Sequence, residues 1–272
     1  MDQNELSRRE YDPHGRPVEI SLGQRIKKLL APIGAGVLIC FKFLAKLKFL
    51  FPVLKTGLTM ILSIWVYAMF WGWPFAAGFV VLIFIHECGH LIAARSLGLK
   101  VGAPVFIPFM GAVIALKEAP RNAWIEAQVG IGGPVLGSLG AALCEVLHLL
   151  TGNLLFRGLA YTGFFLNLFN LAPVGFLDGG RIVTALSPWL WLVGFAILVG
   201  MTIMHFNFLL LLILILSVPR LYYLFRPKSE VERRYFEVTP AQRWTMAFMY
   251  FGLIALLVLG MQLTHVARAD LQ

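Results

Sequence analysis

Residues 80–94 read VVLIFIHECGHLIAA and place ionisable side chains inside a long apolar run. In a helix, residues four positions apart lie on the same face, so His86 and His90 point to the same side. Glu87 lies beside them, whereas Cys88 points nearly opposite His86. Ionisable groups at membrane depth are costly unless something compensates them, so these residues are expected to be functional.

Two imidazoles on one helical face are suited to bind Zn²⁺, with bonds of about 2.0–2.1 Å. Glu87 is then positioned to take a proton from a metal-activated water. A patch of polar side chains between helices, with no metal, is the alternative interpretation. The sequence therefore predicts a zinc site built on His86 and His90, with Glu87 as the catalytic base.

The composition is that of a membrane protein. Of the 272 residues, 59% are hydrophobic and 14% are charged, whereas soluble domains are about 25% charged. The apolar residues form runs long enough to cross a bilayer, which needs roughly 20 mostly apolar residues per helix. Spans are predicted at 57–73, 75–97, 122–150, 154–177, 187–203, 205–219 and 244–264. The predicted fold class is an all-α polytopic membrane protein with about six to seven transmembrane helices.

The position of the basic residues predicts the orientation. With the N-terminus inside, 21 of the 23 Lys and Arg residues fall in the cytosolic segments 1–56, 95–121, 178–186 and 220–243. This bias follows the positive-inside rule and makes nucleic-acid binding the weaker explanation of the +9 net charge. We expect a multi-pass protein of a prokaryotic cell (inner) membrane, with its active site toward the cytosol and the lipid bilayer as a partner.

Three regions are predicted along the chain. Residues 1–56 combine a polar cytosolic tail with a basic interfacial or re-entrant helix, because lysines are too dense there for a span. Residues 57–185 form the catalytic membrane core. Residues 186–272 supply C-terminal transmembrane helices and the basic loop 220–243, in which Arg220 and other basic residues are expected to contact anionic lipid.

Residues 99–117 are apolar but are interrupted by glycine and proline and are rich in Val, Ile and Phe. This pattern predicts a short β-hairpin or loop rather than a helix. Because exposed strands cannot lie in lipid, the element must be shielded by protein or dip into a water-filled cavity.

A catalytic zinc usually takes three ligands from the protein, so one further ligand is required. The acidic candidates within the spans and their connections are Glu118, Glu126, Glu145 and Asp178. Asp178 is the strongest of them, since it follows a span in the sequence NLAPVGFLDGG (170–180), where proline and glycine would unwind the helix. That motif and HECGH both fall toward the cytosolic ends of their spans and could meet.

HECGH (86–90), Gly132-Gly133-Pro134 and NLAPVGFLDGG together resemble the site-2 protease family of intramembrane metalloproteases. There is no room between the core helices for the PDZ domain that many members insert, nor for a pair of CBS domains. The resemblance implies that the two histidines and the motif aspartate bind zinc, and that the glutamate activates water. In this chain those residues are His86, His90, Asp178 and Glu87.

The resemblance also implies that a segment after the first motif holds the substrate as an added strand, a role that suits residues 99–117. Gly111 in that segment is a predicted substrate-binding residue. Asn170, and less clearly Asn167, would either contact substrate or cap unwound backbone. Gly130, Gly133, Gly137 and Gly140 recur at helical spacing and predict close packing against the catalytic helices.

The predicted function is a zinc-dependent endopeptidase that cleaves transmembrane segments of other proteins. A catalytically silent regulatory protein on the same scaffold is one alternative, against which the intact ligand set and Glu87 both argue. A metal transporter that uses the same ligands is the other. A transporter would be expected to carry further acids or histidines across the bilayer, and the outer halves of the spans contain few of them. The sequence leaves the oligomeric state and the identity of the substrate open.

Overall fold

The computed structural model describes residues 42, 52–109, 111–114, 119–175 and 177–265, apart from the side chains of Val113 and Leu209. The chain divides into two compact units, Met1–Val53 and Leu54–Gln272, and the elements below belong to the second apart from the first two residues of the first helix. The predicted N-terminal tail and interfacial helix lie almost entirely outside the described residues.

Nine helices and one two-stranded sheet follow one another along the described ranges. The helices are α1 (Pro52–Trp71), α2 (Trp73–Ser96), α3 (Ala123–Thr151), α4 (Leu154–Asn170), α5 (Asp178–Leu186), α6 (Leu190–Met204), α7 (Phe208–Phe225), α8 (Glu230–Tyr235) and α9 (Pro240–Thr264). By length and composition, α1, α2, α3 and α9 could each cross a membrane, and α6 is a shorter apolar helix. The predicted count of six to seven spans stays a prediction.

Local sequence signals explain where the helices begin and end. Gly72, with φ +78°, separates α1 from α2. Asn122 caps α3 by accepting a hydrogen bond from the backbone of Ile125. At the other end of α3, Gly152 takes the left-handed conformation and Asn153 caps α4. These turn residues join α3 and α4 by a short connection, as expected for neighbouring antiparallel helices.

Helix α3 is the centre of the fold and packs against α2, α4, α5 and α9. The predicted glycine stripe lies in these contacts. A Cβ atom at Gly89 would overlap the carbonyl oxygen of Gly132, so α2 and α3 approach backbone to backbone. A Cβ atom at Gly140 would press on Ile85 of α2. Small residues thus bring the histidine-bearing helix directly onto α3.

The segment after α4 differs from the predicted span of 154–177. Helix α4 ends at Asn170, and a turn leads to α5, which begins at Asp178. Pro173 has no backbone N–H to donate, which fits the predicted unwinding. The new helix α5 was not predicted, because residues 178–186 were expected to be a connecting segment. The expected turn around His205 and Asn207 is present between α6 and α7.

The predicted β-hairpin is present and is shorter than residues 99–117. Strand β1 (Val105–Ile107) pairs antiparallel with β2 (Gly111–Val113), with Phe106 opposite Ala112. Helix α1 covers the outer edge of β1, since the backbone N–H of Phe106 donates to Thr59 Oγ1 at 3.2 Å. Strand β2 approaches α2, the helix that carries the histidines.

Candidate metal centre

Three side chains from two distant parts of the chain meet in a buried pocket. Nε2 of His86 lies 3.0 Å from Oδ2 of Asp178, and Nε2 of His90 lies 3.1 Å from the same oxygen. The two Nε2 atoms are 3.1 Å apart. All three residues are buried. The fold therefore brings together the two histidines of α2 and the aspartate that begins α5.

The far side of each imidazole contacts an oxygen that can only accept a hydrogen bond. Nδ1 of His86 lies 2.8 Å from Oδ1 of Asn167, whose Nδ2 donates to the carbonyl of Gly163. Nδ1 of His90 lies 2.8 Å from the carbonyl oxygen of Val129. Both Nδ1 atoms must therefore carry the proton and donate it. In the neutral rings, both Nε2 lone pairs then face the carboxylate of Asp178.

This donor set fits a divalent metal ion. Three lone-pair atoms within 3.0–3.1 Å of one another repel unless a metal ion or a proton lies between them. Zinc bonds of about 2.0–2.2 Å in a tetrahedron place neighbouring ligand atoms about 3.3–3.6 Å apart, a few tenths of an ångström beyond the distances found. Partners that fix the tautomer of a ligating histidine are the usual arrangement around zinc.

Helix α3 leaves room for the two rings at Gly133. A Cβ atom at that position would overlap Nε2 of His90 and would lie 2.8 Å from Nε2 of His86. The Gly132-Gly133 pair therefore has two separate effects. Gly132 lets α2 approach, and Gly133 keeps the space between the imidazoles open.

The position of Asp178 depends on the two glycines that follow it. A Cβ atom at Gly179 would overlap the carbonyl oxygens of Leu171 and Ala172, and one at Gly180 would lie 2.7 Å from the carbonyl of Gly175. The first turn of α5 therefore packs directly on the connection from α4. Asp178 is also the first residue of α5, where the helix dipole favours a negative charge.

Glu87 is buried on the same helix as the two histidines. Since it follows His86 directly, its side chain leaves α2 about 100° around the helix axis from that ring. Its carboxylate is not among the three converging atoms, and its role as the catalytic base stays a prediction.

The other acidic candidates lie elsewhere or are not described. Glu126 accepts hydrogen bonds from Arg220 at 2.9 Å and from the hydroxyl of Tyr235 at 2.7 Å. Glu145 is in the last two turns of α3. Glu118 lies outside the described residues.

The structure also places the two predicted substrate-binding residues. Asn170 is the half-buried last residue of α4. Gly111 begins β2 with φ +85°, a conformation that glycine adopts readily, so it already has a structural role in the hairpin. Contact of either residue with substrate stays a prediction.

The hydrogen bond that Nδ1 of His86 donates to Asn167 is the main feature of the site that was not predicted from the sequence. Asn167 was the lesser of two candidate asparagines, with a general capping or substrate role. The signal was present, since an asparagine within an apolar helix is expected to have a buried partner. A Cβ atom at Gly137 would overlap Oδ1 of Asn167, so the glycine stripe of α3 also makes room for this side chain.

Replacement of Asn167 by alanine is expected to weaken zinc binding by about 10- to 100-fold, because Nδ1 of His86 would lose the acceptor that orients the ring. Competition with a chromophoric chelator measures the change in the purified protein. Asn170→Ala is the matched control, since Asn170 is one turn further along α4 and the Nδ1 partner of His86 is Asn167. Equal affinity in Asn167→Ala and the parent would contradict the orienting role.

Comparisons with known proteins find similarity to zinc metalloproteases. The model of peptidase family M50 matches residues 74–157. Zinc metalloprotease MJ0392 of Methanocaldococcus jannaschii is 32% identical over 142 residues, which cover 50% of this chain and 40% of the relative. Probable zinc metalloprotease EGY2, chloroplastic, of Arabidopsis thaliana is 30% identical over 162 residues, 43% of this chain and 29% of the relative. The chain spans less than half of the length of either relative.

The fold and the candidate site together are typical of helical metal-binding proteins, and four of the described helices are long and apolar enough to cross a membrane. The predicted resemblance is confirmed: residues 74–157 match the model of peptidase family M50, the site-2 protease family, and the similar proteins are named zinc metalloproteases. Zinc is the metal that the names of the relatives give, and the pocket formed by His86, His90 and Asp178 fits it.

Proposed function

We propose that this chain is an intramembrane zinc endopeptidase that cleaves transmembrane segments of other membrane proteins. One observation carries the proposal: Nε2 of His86, Nε2 of His90 and Oδ2 of Asp178 converge on one buried point. The histidines lie on α2, a helix that is apolar enough to cross a membrane. Such a helix would hold the reaction at membrane depth, with His86, His90 and Asp178 as the metal ligands.

Bound zinc would supply Lewis acidity for the scissile carbonyl and lower the pKa of a coordinated water. Glu87 accepts the proton of the attacking water and delivers it to the leaving nitrogen, the usual work of a carboxylate in general acid–base catalysis. Asn167 and the carbonyl of Val129 hold the imidazoles in the tautomer that faces the pocket. The burial of Glu87 keeps bulk water away from this proton transfer.

The edge of β2 that faces away from β1 suits an extended substrate. The N–H of Phe106 points out of the hairpin toward α1, so Phe106 and Ala112 form a pair that is not hydrogen-bonded. The N–H and C=O groups of Ala112 therefore point away from β1. A substrate strand added at this edge would lie on the side of the hairpin that approaches α2. Gly111 and Asn170 are the proposed contacts.

Cleavage of a defined membrane segment tests this function. The purified full chain and a tagged single-span reporter protein are reconstituted in liposomes, and the products are mapped by mass spectrometry. We expect a cut inside the apolar segment that stops after zinc chelation and resumes when zinc returns. Cutting confined to the water-exposed flanks would contradict intramembrane cleavage. Movement of zinc across the liposome membrane without any cleavage would instead favour a transporter.

A further inference from the structure

Two backbone carbonyl groups, one on each side of Asp178, are held by side chains from the C-terminal part of the chain. Nη1 of Arg220, on α7, donates to the carbonyl of Gly175 at 2.6 Å. Nε1 of Trp191, on α6, donates to the carbonyl of Gly180 at 2.8 Å. One bond lies three residues before Asp178 and the other lies two residues after it.

The two side chains also contact each other. The guanidinium carbon of Arg220 lies 5.0 Å from the centroid of the Trp191 ring, within the range of a cation–π interaction. Trp191 is buried and Arg220 is half-buried. The planar guanidinium can donate in several directions at once, which a lysine ammonium in the same place cannot do with equal geometry.

The second end of the guanidinium is fixed by α3. Nη2 of Arg220 donates to Oε1 of Glu126 at 2.9 Å, and the hydroxyl of Tyr235 donates to Oε2 at 2.7 Å. Burial and the adjacent Glu126 carboxylate raise the pKa of Tyr235, which keeps that hydroxyl protonated as a donor. Arg181 Nε lies 3.9 Å from the same carboxylate. The sequence-based assignment of Arg220 to lipid contact misses these partners.

We propose that Arg220 is a positioning residue for Asp178: with Trp191, it fixes the backbone on both sides of that carboxylate and so sets where the third metal ligand stands. The inference rests on the proposed function only in that Asp178 must be a ligand. It adds that metal affinity depends on α6 and α7, which lie outside the region matched by the family model.

The test measures Co²⁺ binding to the purified, metal-depleted full chain in detergent, by titration of the visible absorption bands of the bound ion. Arg220→Lys keeps the charge near Glu126 but cannot hold Gly175 and Glu126 together with the same geometry. We expect about tenfold weaker Co²⁺ binding, the lower end of the range for residues that support metal ligands. We also expect altered band intensities, which report ligand geometry, together with an unchanged unfolding temperature of the metal-free protein.

Arg226→Lys is the matched control. Arg226 pairs with Glu232, and its guanidinium lies 4.5 Å from the ring centroid of Tyr223. It thus has the same kinds of partner as Arg220, but those partners are in α7 and α8 rather than beside Asp178. Its Co²⁺ affinity and spectrum are expected to match those of the parent.

Trp191→Phe provides an independent variant, because it keeps an aromatic ring at this position and removes the N–H that donates to Gly180. It is expected to weaken Co²⁺ binding in the same direction as Arg220→Lys. Parental affinity and spectrum in both variants would overturn the proposal, as would an equal loss in Arg226→Lys.

Asp178→Asn separates this inference from the proposed function. If Asp178→Asn loses Co²⁺ binding while Arg220→Lys and Trp191→Phe retain it, only the positioning role fails. If Asp178→Asn itself binds Co²⁺ as the parent does, the proposed ligand set is wrong and the positioning role fails with it.

Discussion

Replacement of Glu87 by glutamine is expected to lower the rate of peptide hydrolysis by about 100- to 10,000-fold, the usual contribution of a general base. Glutamine has nearly the same size and remains beside the two histidines, but it cannot accept the proton of the attacking water. The three converging atoms belong to other residues, so zinc content is expected to stay at the parental level. Reporter cleavage in liposomes and metal analysis of the same preparation measure both quantities.

Glu145→Gln is the control for this substitution, since it makes the same chemical change on α3, outside the pocket. It should cleave the reporter at the parental rate. Parental activity in Glu87→Gln would remove Glu87 from the mechanism. Loss of zinc together with activity would show that Glu87 supports the metal rather than the proton transfer.

Replacement of Asp178 by asparagine is expected to weaken zinc binding by more than about 100-fold, beyond the effect of losing a residue that only supports a ligand. Oδ2 of Asp178 is the atom that both Nε2 atoms approach, at 3.0 and 3.1 Å. Asparagine keeps the shape but removes the negative charge that offsets the charge of the ion. Hydrolysis should fall with zinc occupancy. Metal content per chain and the dissociation constant from chelator competition provide the measurement.

Asp178→Glu is the informative companion variant. It keeps the carboxylate but lengthens the side chain, while Gly179 and Gly180 hold the start of α5 against the preceding connection. We expect partial zinc binding, intermediate between the parent and Asp178→Asn. Full zinc occupancy in Asp178→Asn would show that the third ligand is another group.

Much of the site could be predicted because its chemistry is local in sequence. The spacing of His86 and His90 determines their common face in any helix, and Glu87 lies beside them by the same rule. Asp178 could be predicted only indirectly, because aspartate is rare in this apolar chain and because Pro173 would unwind the helix before it. The structure brings His86, His90 and Asp178 together.

The remaining features depend on contacts that periodicity does not encode. Pro173 indicates that α4 must end, but it does not indicate that Asp178 starts a new helix. Arg220 begins a basic stretch that is typical of a lipid-facing loop, yet its partner Glu126 is 94 positions away in the sequence. Asn167 and Asn170 differ by one turn of the same helix, and only the packing of α4 on α2 and α3 distinguishes them.

The space at Gly133 matters for interpreting related sequences. A related chain could keep HExxH and LDGG intact and still have lost its pocket if a larger residue stood at this one position. The added carbon would fill the point where the imidazoles meet. An intact ligand set is therefore insufficient to identify a working protease on this scaffold. Surveys that separate active members from degenerate ones should examine the neighbouring helix as closely as the residues that bind the ion.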